Sequence, residues 1–481
     1  MPTLKKYHWL RILLLFVISL TVSLYNRQSP LDMTYMRWDT SVYQYIGWQM
    51  WEGQIPYRDI FDHKGPIIYL WNMLGYGLHP MLGQWFLELI ALFTSTLIAA
   101  KIGSRFISEP LSILLIGITF FNIPINNTVG NLENIAVLIS WVLLYLFIEY
   151  LFENKLSKTK IMVFGASTAF CLFLKPIYLA TPAVLIMVIL IKHLLKKQYQ
   201  KLYTDILYFS FAFLSITAAV IGWLYYHHAL QNFWDCYVTF NLEYTKYWQR
   251  SNSRTITLQT ELNNNFIKIT MAIALYLLAR LKHYTSKEKT LIITLIIAVP
   301  VNLIGVILPN NPFLHYLYIL YPLTLILAML AVKPWQKKLF LTIVLSICFI
   351  ASGINCARNI RAPVSDKNAR AAATMINTLL KEDETFQTLG WDMARLHLLS
   401  QKRAATPYVL TGMHERIYQR YLYTYIKKTR PKMVVILTYP ETAYYHQLLK
   451  AYWKNFYKDY DLYSTRFGYE IYILKEKTPP L

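Results

Sequence analysis

Apolar stretches of roughly 15 to 25 residues, separated by short charged loops, recur along most of this chain. Crossing the hydrocarbon core of a bilayer takes about 20 apolar residues in a helix. One aqueous core cannot bury so many such stretches, so most of the chain is expected to dissolve in a membrane as an all-α polytopic protein. Composition agrees: 55% of the 481 residues are apolar and 15% are charged, against about 25% charged in soluble chains. This composition argues against a wholly cytoplasmic enzyme. Candidate spans lie near residues 8–26, 82–106, 110–125, 131–153, 160–175, 176–196, 204–229, 262–282, 287–309, 314–333 and 336–356, about eleven helices in all.

The 48 Lys+Arg against 26 Asp+Glu give a formal charge of +22. The basic residues gather in loops, at Lys155/Lys158/Lys160, Lys192/Lys196/Lys197/Lys201, Arg280/Lys282/Lys287/Lys289 and Lys333/Lys337/Lys338. That pattern reads as topology and anionic-lipid contact rather than a nucleic-acid footprint. With eleven spans these loops and the N-terminus share one side, which the positive-inside rule makes cytoplasmic. The segment 27–81, the turns 126–130 and 310–313, the loop 230–261 and the tail then lie outside. The first run, Trp9 to Leu24, follows Lys5 and Lys6 and lacks a small-residue cleavage site, so it reads as a retained signal anchor. The four cysteines show no close-paired spacing. Ile67 to Leu78 is too short to span and is expected to lie at the outer membrane surface, with Pro66 in its first turn.

Composition shifts after Cys356, dividing a transmembrane domain, 1–356, from a polar extracytoplasmic domain, 357–481. Asp366 to Lys381 has helical spacing, and Phe386–Trp391, Lys432–Tyr439 and Tyr469–Lys475 read as strands, predicting a small C-terminal α/β domain.

The densest unusual sequence is in the 27–81 loop: Arg37-Trp-Asp39-Thr-Ser-Val-Tyr-Gln-Tyr-Ile-Gly47, then Gly53-Gln-Ile-Pro-Tyr-Arg58-Asp59-Ile-Phe-Asp62-His63-Lys64-Gly-Pro66. Val42, Tyr45, Ile46 and Met50 share a helical face, predicting an interfacial amphipathic helix over 40–52 that ends near Gly53, with Asp39 at its start. Asp at a helix start serves as an N-cap, and a carboxylate fixed there also suits a general base. Arg58, Asp59, Asp62, His63 and Lys64 read either as a solvated ion-pair cluster or as a fixed site between two Pro-bounded apolar segments.

The string Asp39 to Gly47, followed by Gly53-x-x-Pro-Tyr-Arg-Asp-x-Phe-Asp-His-Lys-Gly-Pro66-x-x-Tyr69-x-x-Asn72-x-x-Gly75, resembles the first periplasmic loop of bacterial GT-C membrane glycosyltransferases. The branch is the one similar to family-39 protein O-mannosyltransferases and to enzymes that add aminoarabinose to lipid A. Shorter echoes are Gly130-Asn131-Leu-Glu133, Leu174-Lys175-Pro176, Phe240-Asn241-x-x-Tyr244, and His315-Tyr316 with Pro322. The resemblance implies a GT-C-like fold that transfers a sugar from a polyprenyl-phosphate donor to a glycan, lipid or protein acceptor of the cell envelope. Transfer would occur on the outer face of the bacterial cytoplasmic membrane, usually with inversion.

Asp39 matches the family's catalytic base. Thr40 stands where several relatives carry a second acid. Glu133 is a further catalytic candidate, and otherwise a helix first-turn acid on the dipole. Arg58, Lys64 and Lys175 are candidates for the donor phosphate; an embedded Lys175 reads as functional or as a snorkelling side chain. Asp59, Asp62 and His63 would orient these groups or bind acceptor. Asn241, Tyr244 and His315 are candidates for substrate contact. No cofactor is required; some GT-C oligosaccharyltransferases hold a divalent ion, and magnesium or manganese between Asp39 and Glu133 is the corresponding option here. The chain has no Walker-type Gly-Lys-Ser/Thr and no His-Glu-x-x-His. The alternatives are a polymerase or ligase of lipid-linked glycans and a flippase or transporter.

Overall fold

A computed structural model of the chain describes residues 8–25, 28–35, 39–122, 132–251, 264–307, 314–358, 360, 367–390, 394–409, 422–438 and 442–475. Lys5, Lys6, Arg37, the turns 126–130 and 310–313, Gly130, Asn131, Asp366, Trp391 and Tyr439 lie outside the described residues. A helix stands at each of the eleven expected spans, from His8–Leu24 to Leu339–Arg358. Among the described residues seven helical segments are long and apolar enough to cross a membrane: Gly83–Gly103, Leu132–Glu153, Pro176–Leu195, Tyr199–Tyr226, Ser286–Ile307, His315–Trp335 and Leu339–Arg358. Trp9–Leu24, Glu109–Phe121 and Asn265–Ala279 are shorter apolar helices.

The chain folds as two compact units, Met1–Asn26 with Trp85–Trp223 and Thr245–Arg361, and Arg27–Gln84 with Leu224–Tyr244 and Ala362–Leu481. In the first unit Leu132–Glu153 and His315–Trp335 are the most enclosed helices, whereas Tyr199–Tyr226 and Leu339–Arg358 have few fully buried residues. Where lipid is as apolar as leucine, polar side chains help join helices. Ser19 Oγ lies 3.2 Å from Thr96 Oγ1, Asn302 Nδ2 donates to Thr181 Oγ1 at 3.0 Å, and Thr270 and Thr324 hydroxyls meet at 2.9 Å.

The second unit joins the 27–84 segment to a four-stranded sheet of order β1-β2-β4-β3, with β1 Phe386–Leu389, β2 Met433–Leu437, β3 Tyr460–Ser464 and β4 Tyr469–Leu474. β1 and β2 are parallel, Phe386 opposite Met433; β4 runs antiparallel to β2 and to β3. Both faces of the parallel pair are covered. Val434 and Ile436 pack on Trp453, Phe456 and Leu422, while Met433 and Val435 pack on Ala372, Ile376 and Leu396. β3 falls outside the predicted strands because it is an edge whose central residues Asp461, Leu462 and Tyr463 are exposed, erasing any alternation.

Asp39–Trp51 is helical, as expected, and Gly53 at φ +87° turns the chain after it. The expected amphipathic character is wrong: every residue from Thr40 to Gln49 is buried. One side packs on Pro66–Leu78, where Pro66 opens the helix and a Cβ on Gly47 would fall 2.5 Å from the Asn72 carbonyl carbon. On another side the Tyr45 hydroxyl accepts from the Ala404 amide at 2.9 Å, and its ring lies 5.5 Å from that of His397.

His397 is fully buried, with Nδ1 3.1 Å from the Lys402 carbonyl oxygen and its ring stacked 4.1 Å from Phe386. Burial drives its imidazole down to about 3, from an ordinary 6.5. The unfolded chain therefore binds this proton first. The stabilising contribution is complete above pH 6.5 and declines as pH falls towards 3, by up to about 1.4 kcal/mol per unit. Thermal unfolding of the purified protein between pH 7 and pH 4.5 should show this loss, and His397→Leu should flatten it. An unchanged slope in that variant would assign the acid sensitivity elsewhere.

Candidate active site

In the second unit, a proline-bounded turn sets the first group of candidates. Tyr57 at φ +69° and the Pro56–Ile60 bridge fold residues 55–60 back on themselves. Arg58 and Asp59 pair there bidentately, both contacts at 2.8 Å, with Asp59 also accepting from the Ile55 amide and Arg58 donating to the His227 carbonyl. The guanidinium holds the Asp59 carboxyl below its usual range. This half of the predicted cluster is the partly exposed ion pair that any loop could carry.

Asp62, His63 and Lys64 are different: they are 1%, 3% and 6% exposed. Asp62 accepts from the His63 amide and from the Tyr69 hydroxyl, each at 2.8 Å. Burial raises the Asp62 carboxyl, but the hydrogen bonds from His63 and the Tyr69 hydroxyl and the charge of Lys64 outweigh it and keep the group ionised. Burial first, and the Lys64 charge second, lower the His63 imidazole, so it is neutral. Lys64 Nζ lies 2.6 Å from His63 Nε2. An ammonium can only donate, so Nε2 is the unprotonated nitrogen and Nδ1 carries the proton, 3.3 Å from Asp62 Oδ1 but outside hydrogen-bond geometry. The segment is fixed from behind, where the Tyr57 hydroxyl donates to the Lys64 carbonyl at 2.8 Å.

Asn241 and Tyr244 join the same cluster. A π-helical segment, Trp234–Thr239, leads into Phe240–Ser251. Asn241 Nδ2 donates to the Tyr237 and His63 carbonyls, at 2.8 and 2.7 Å. The Phe240 and Tyr244 rings lie 5.2 and 5.5 Å from that of His63. Asn241 is thus committed to the backbone.

Asp39, the first described residue of its helix, is 35% exposed. Its Oδ2 accepts from the Tyr43 hydroxyl at 3.3 Å and lies 3.8 Å from Lys64 Nζ. A chain of polar groups therefore runs from the partly open carboxylate of Asp39 through Lys64 and His63 to buried Asp62. Such an arrangement can take a proton at Asp39 and present positive charge beside it.

The candidates of the first unit also meet one another. Pro176 forces the preceding residue out of helical geometry, and Lys175, at φ −167°, ψ 130°, breaks Lys158–Leu174 from the short 3₁₀ turn Pro176–Leu179. Lys175 Nζ lies 3.6 Å over the Tyr316 ring. Glu133, 3% exposed, accepts from the Tyr178 hydroxyl at 2.8 Å and has His315 Nε2 at 3.9 Å; its Oε2 takes no hydrogen bond among the described residues. Tyr178 was missed by sequence reasoning, although it stands one helical turn after Lys175. Tyr57 and Tyr69 were missed as site residues too, because a phenol that braces backbone looks like any other core aromatic.

Asp39 faces an ammonium, and among the described residues no group of three His, Cys, Asp or Glu side chains is arranged to hold an ion.

Residues 3–342 match the family model described as "Putative competence-induced protein Ccs4 N-terminal domain". The chain belongs to this family. No curated protein sequence matches it. Among solved structures, it is similar to ArnT from Cupriavidus metallidurans bound to undecaprenyl phosphate, at 13% identity and TM-score 0.60, covering 97% of this chain and 98% of that one. The same enzyme without ligand gives 13% and 0.61, over 96% and 97%. The oligosaccharyltransferase of Archaeoglobus fulgidus, in complex with zinc and sulfate, gives 11% and 0.54, over 96% and 73%. These likenesses show a GT-C membrane fold, as the loop motif implied.

Proposed function

We propose that this family member transfers a sugar from a polyprenyl-phosphate donor to an envelope acceptor, on the outer face of a bacterial cytoplasmic membrane. In this reading the chain crosses eleven times, its basic loops are cytoplasmic, and the 27–81 segment and C-terminal domain are extracytoplasmic. The acceptor hydroxyl oxygen attacks the anomeric carbon as the bond from that carbon to the phosphate oxygen breaks. The hydroxyl proton passes to Asp39, and the electron pair leaves with the polyprenyl phosphate. Lys64 stabilises charge developing on that phosphate, a demand met by prepositioned cations; Lys175, in the first unit, is a separate candidate for holding a phosphate. Glu133 and His315 orient Lys175 or the acceptor. Arg58 and Asp59 keep the turn closed, and Asp62, His63, Asn241 and Tyr244 brace Lys64.

The observation that carries this reading is the pairing of a partly open carboxylate at a helix start with a buried, prepositioned ammonium. The ArnT structure with undecaprenyl phosphate supports the donor class. Mass spectrometry of envelope glycans, with and without the protein, tests it. The expected result is loss of one sugar residue from a defined glycan. Loss of whole repeat units would indicate a polymerase, and an unchanged glycome would remove the proposal.

A further inference from the structure

Within the first unit, a cavity of about 270 Å³ opens beside the C-terminal end of Gly83–Gly103 and the last third of Leu132–Glu153. Lys101, Ser104, Arg105, Tyr145 and Glu149 line it, and none of them belongs to the candidate active site. At roughly 30 Å³ per water, the space holds the equivalent of about nine waters, enough for a phosphate with a glycerol.

Its charges are unevenly matched. Glu149 is 6% exposed; Lys160 Nζ engages its Oε1, while its Oε2 is buried and takes no hydrogen bond among the described residues. A carboxylate oxygen buried in an apolar helix without a donor is costly, and this residue lines an open space. Arg105 reaches Glu153 at 3.2 Å and lies 5.3 Å from the Phe152 ring. Lys101 is exposed, its Nζ 5.0 Å over the Tyr145 ring. Lys101, Arg105 and Lys160 against Glu149 and Glu153 leave one positive charge over. The complement is one negative charge plus one hydrogen-bond donor.

We propose that this cavity binds the headgroup of a monoanionic phospholipid carrying a free hydroxyl, of the phosphatidylglycerol type. The phosphate sits against Lys101 and Arg105, and the headgroup hydroxyl donates to the Glu149 carboxylate. The position at the ends of two apolar helices suits a lipid, because basic pockets between such helices take headgroups. The assignment stands independently of glycosyl transfer.

Native mass spectrometry of the full-length protein released from detergent tests it, with phosphatidylglycerol, phosphatidylethanolamine, phosphatidic acid and inorganic phosphate as probes. The wild type should retain one phosphatidylglycerol saturably. Phosphatidic acid, which lacks the hydroxyl, and phosphatidylethanolamine, which is neutral overall, should bind more weakly. Lys101→Gln, an exposed change that leaves the fold intact, should weaken phosphatidylglycerol about tenfold, as expected for one charge-assisted contact. Glu149→Leu should abolish the preference over phosphatidic acid. Equal retention of the three lipids, unaltered binding in Lys101→Gln, or displacement of the lipid by inorganic phosphate would each overturn the assignment.

Discussion

Asp39→Asn is expected to lower turnover by about 10²- to 10⁴-fold, the usual worth of general-base catalysis, while the protein stays folded and inserted. The side chain is 35% exposed and, among the described residues, accepts one long hydrogen bond, from Tyr43. An amide of the same shape can keep that bond through its oxygen, so little stability is at stake. What it cannot do is take a proton from the acceptor hydroxyl. The loss should fall on kcat more than on KM, since Asp39 acts in the reacting state rather than in holding the donor. Circular dichroism and thermal unfolding matched to the wild type would separate this from misfolding.

Lys64→Met should have the second large effect, about 10²- to 10³-fold in turnover, comparable with removal of one preorganised charge donor. Methionine keeps the length and apolar stem but deletes the ammonium that lies 2.6 Å from His63 Nε2 and 3.8 Å from Asp39. The variant carries a signature of its own. The Lys64 charge is the second cause, after burial, of the lowered His63 imidazole, so its removal moves that group back up towards neutrality. Protonated His63 then supplies part of the missing positive charge. Residual activity should therefore rise as pH is lowered from 7 towards 6. Activity measured across that window checks it; a flat residual would mean that His63 does not substitute.

Much of this architecture is legible in the sequence, because the bilayer imposes a simple code. Each run of apolar residues at 8–26, 82–106 and onwards became a helix, since backbone polar groups in hydrocarbon have no other way to be satisfied. The loop motif also led to Asp39 and to Asp62, His63 and Lys64, which meet in one cluster.

What stayed hidden depends on distant partners. Nothing near residue 45 announces that Ala404 and His397 cover it, so the helix looked half-exposed when it is buried from Thr40 to Gln49. Likewise, the five ionisable residues of the 58–64 segment read as one group, yet the turn at Tyr57 splits them into a partly exposed Arg58–Asp59 pair and a buried trio. That division follows from Tyr57 and Tyr69 closing over Lys64, a packing choice that local pattern does not encode. The edge strand Tyr460–Ser464 was missed for the opposite reason: with its middle in solvent, it has no hydrophobic alternation to read.

The most direct test is release of free polyprenyl phosphate by the purified protein in nanodiscs. The supply is a lipid-linked sugar extract from the source cell, with envelope glycan as acceptor. Wild-type protein should liberate the lipid phosphate only when acceptor is present, and Asp39→Asn should liberate almost none. Equal release by the two proteins would contradict the assignment of Asp39 as the base.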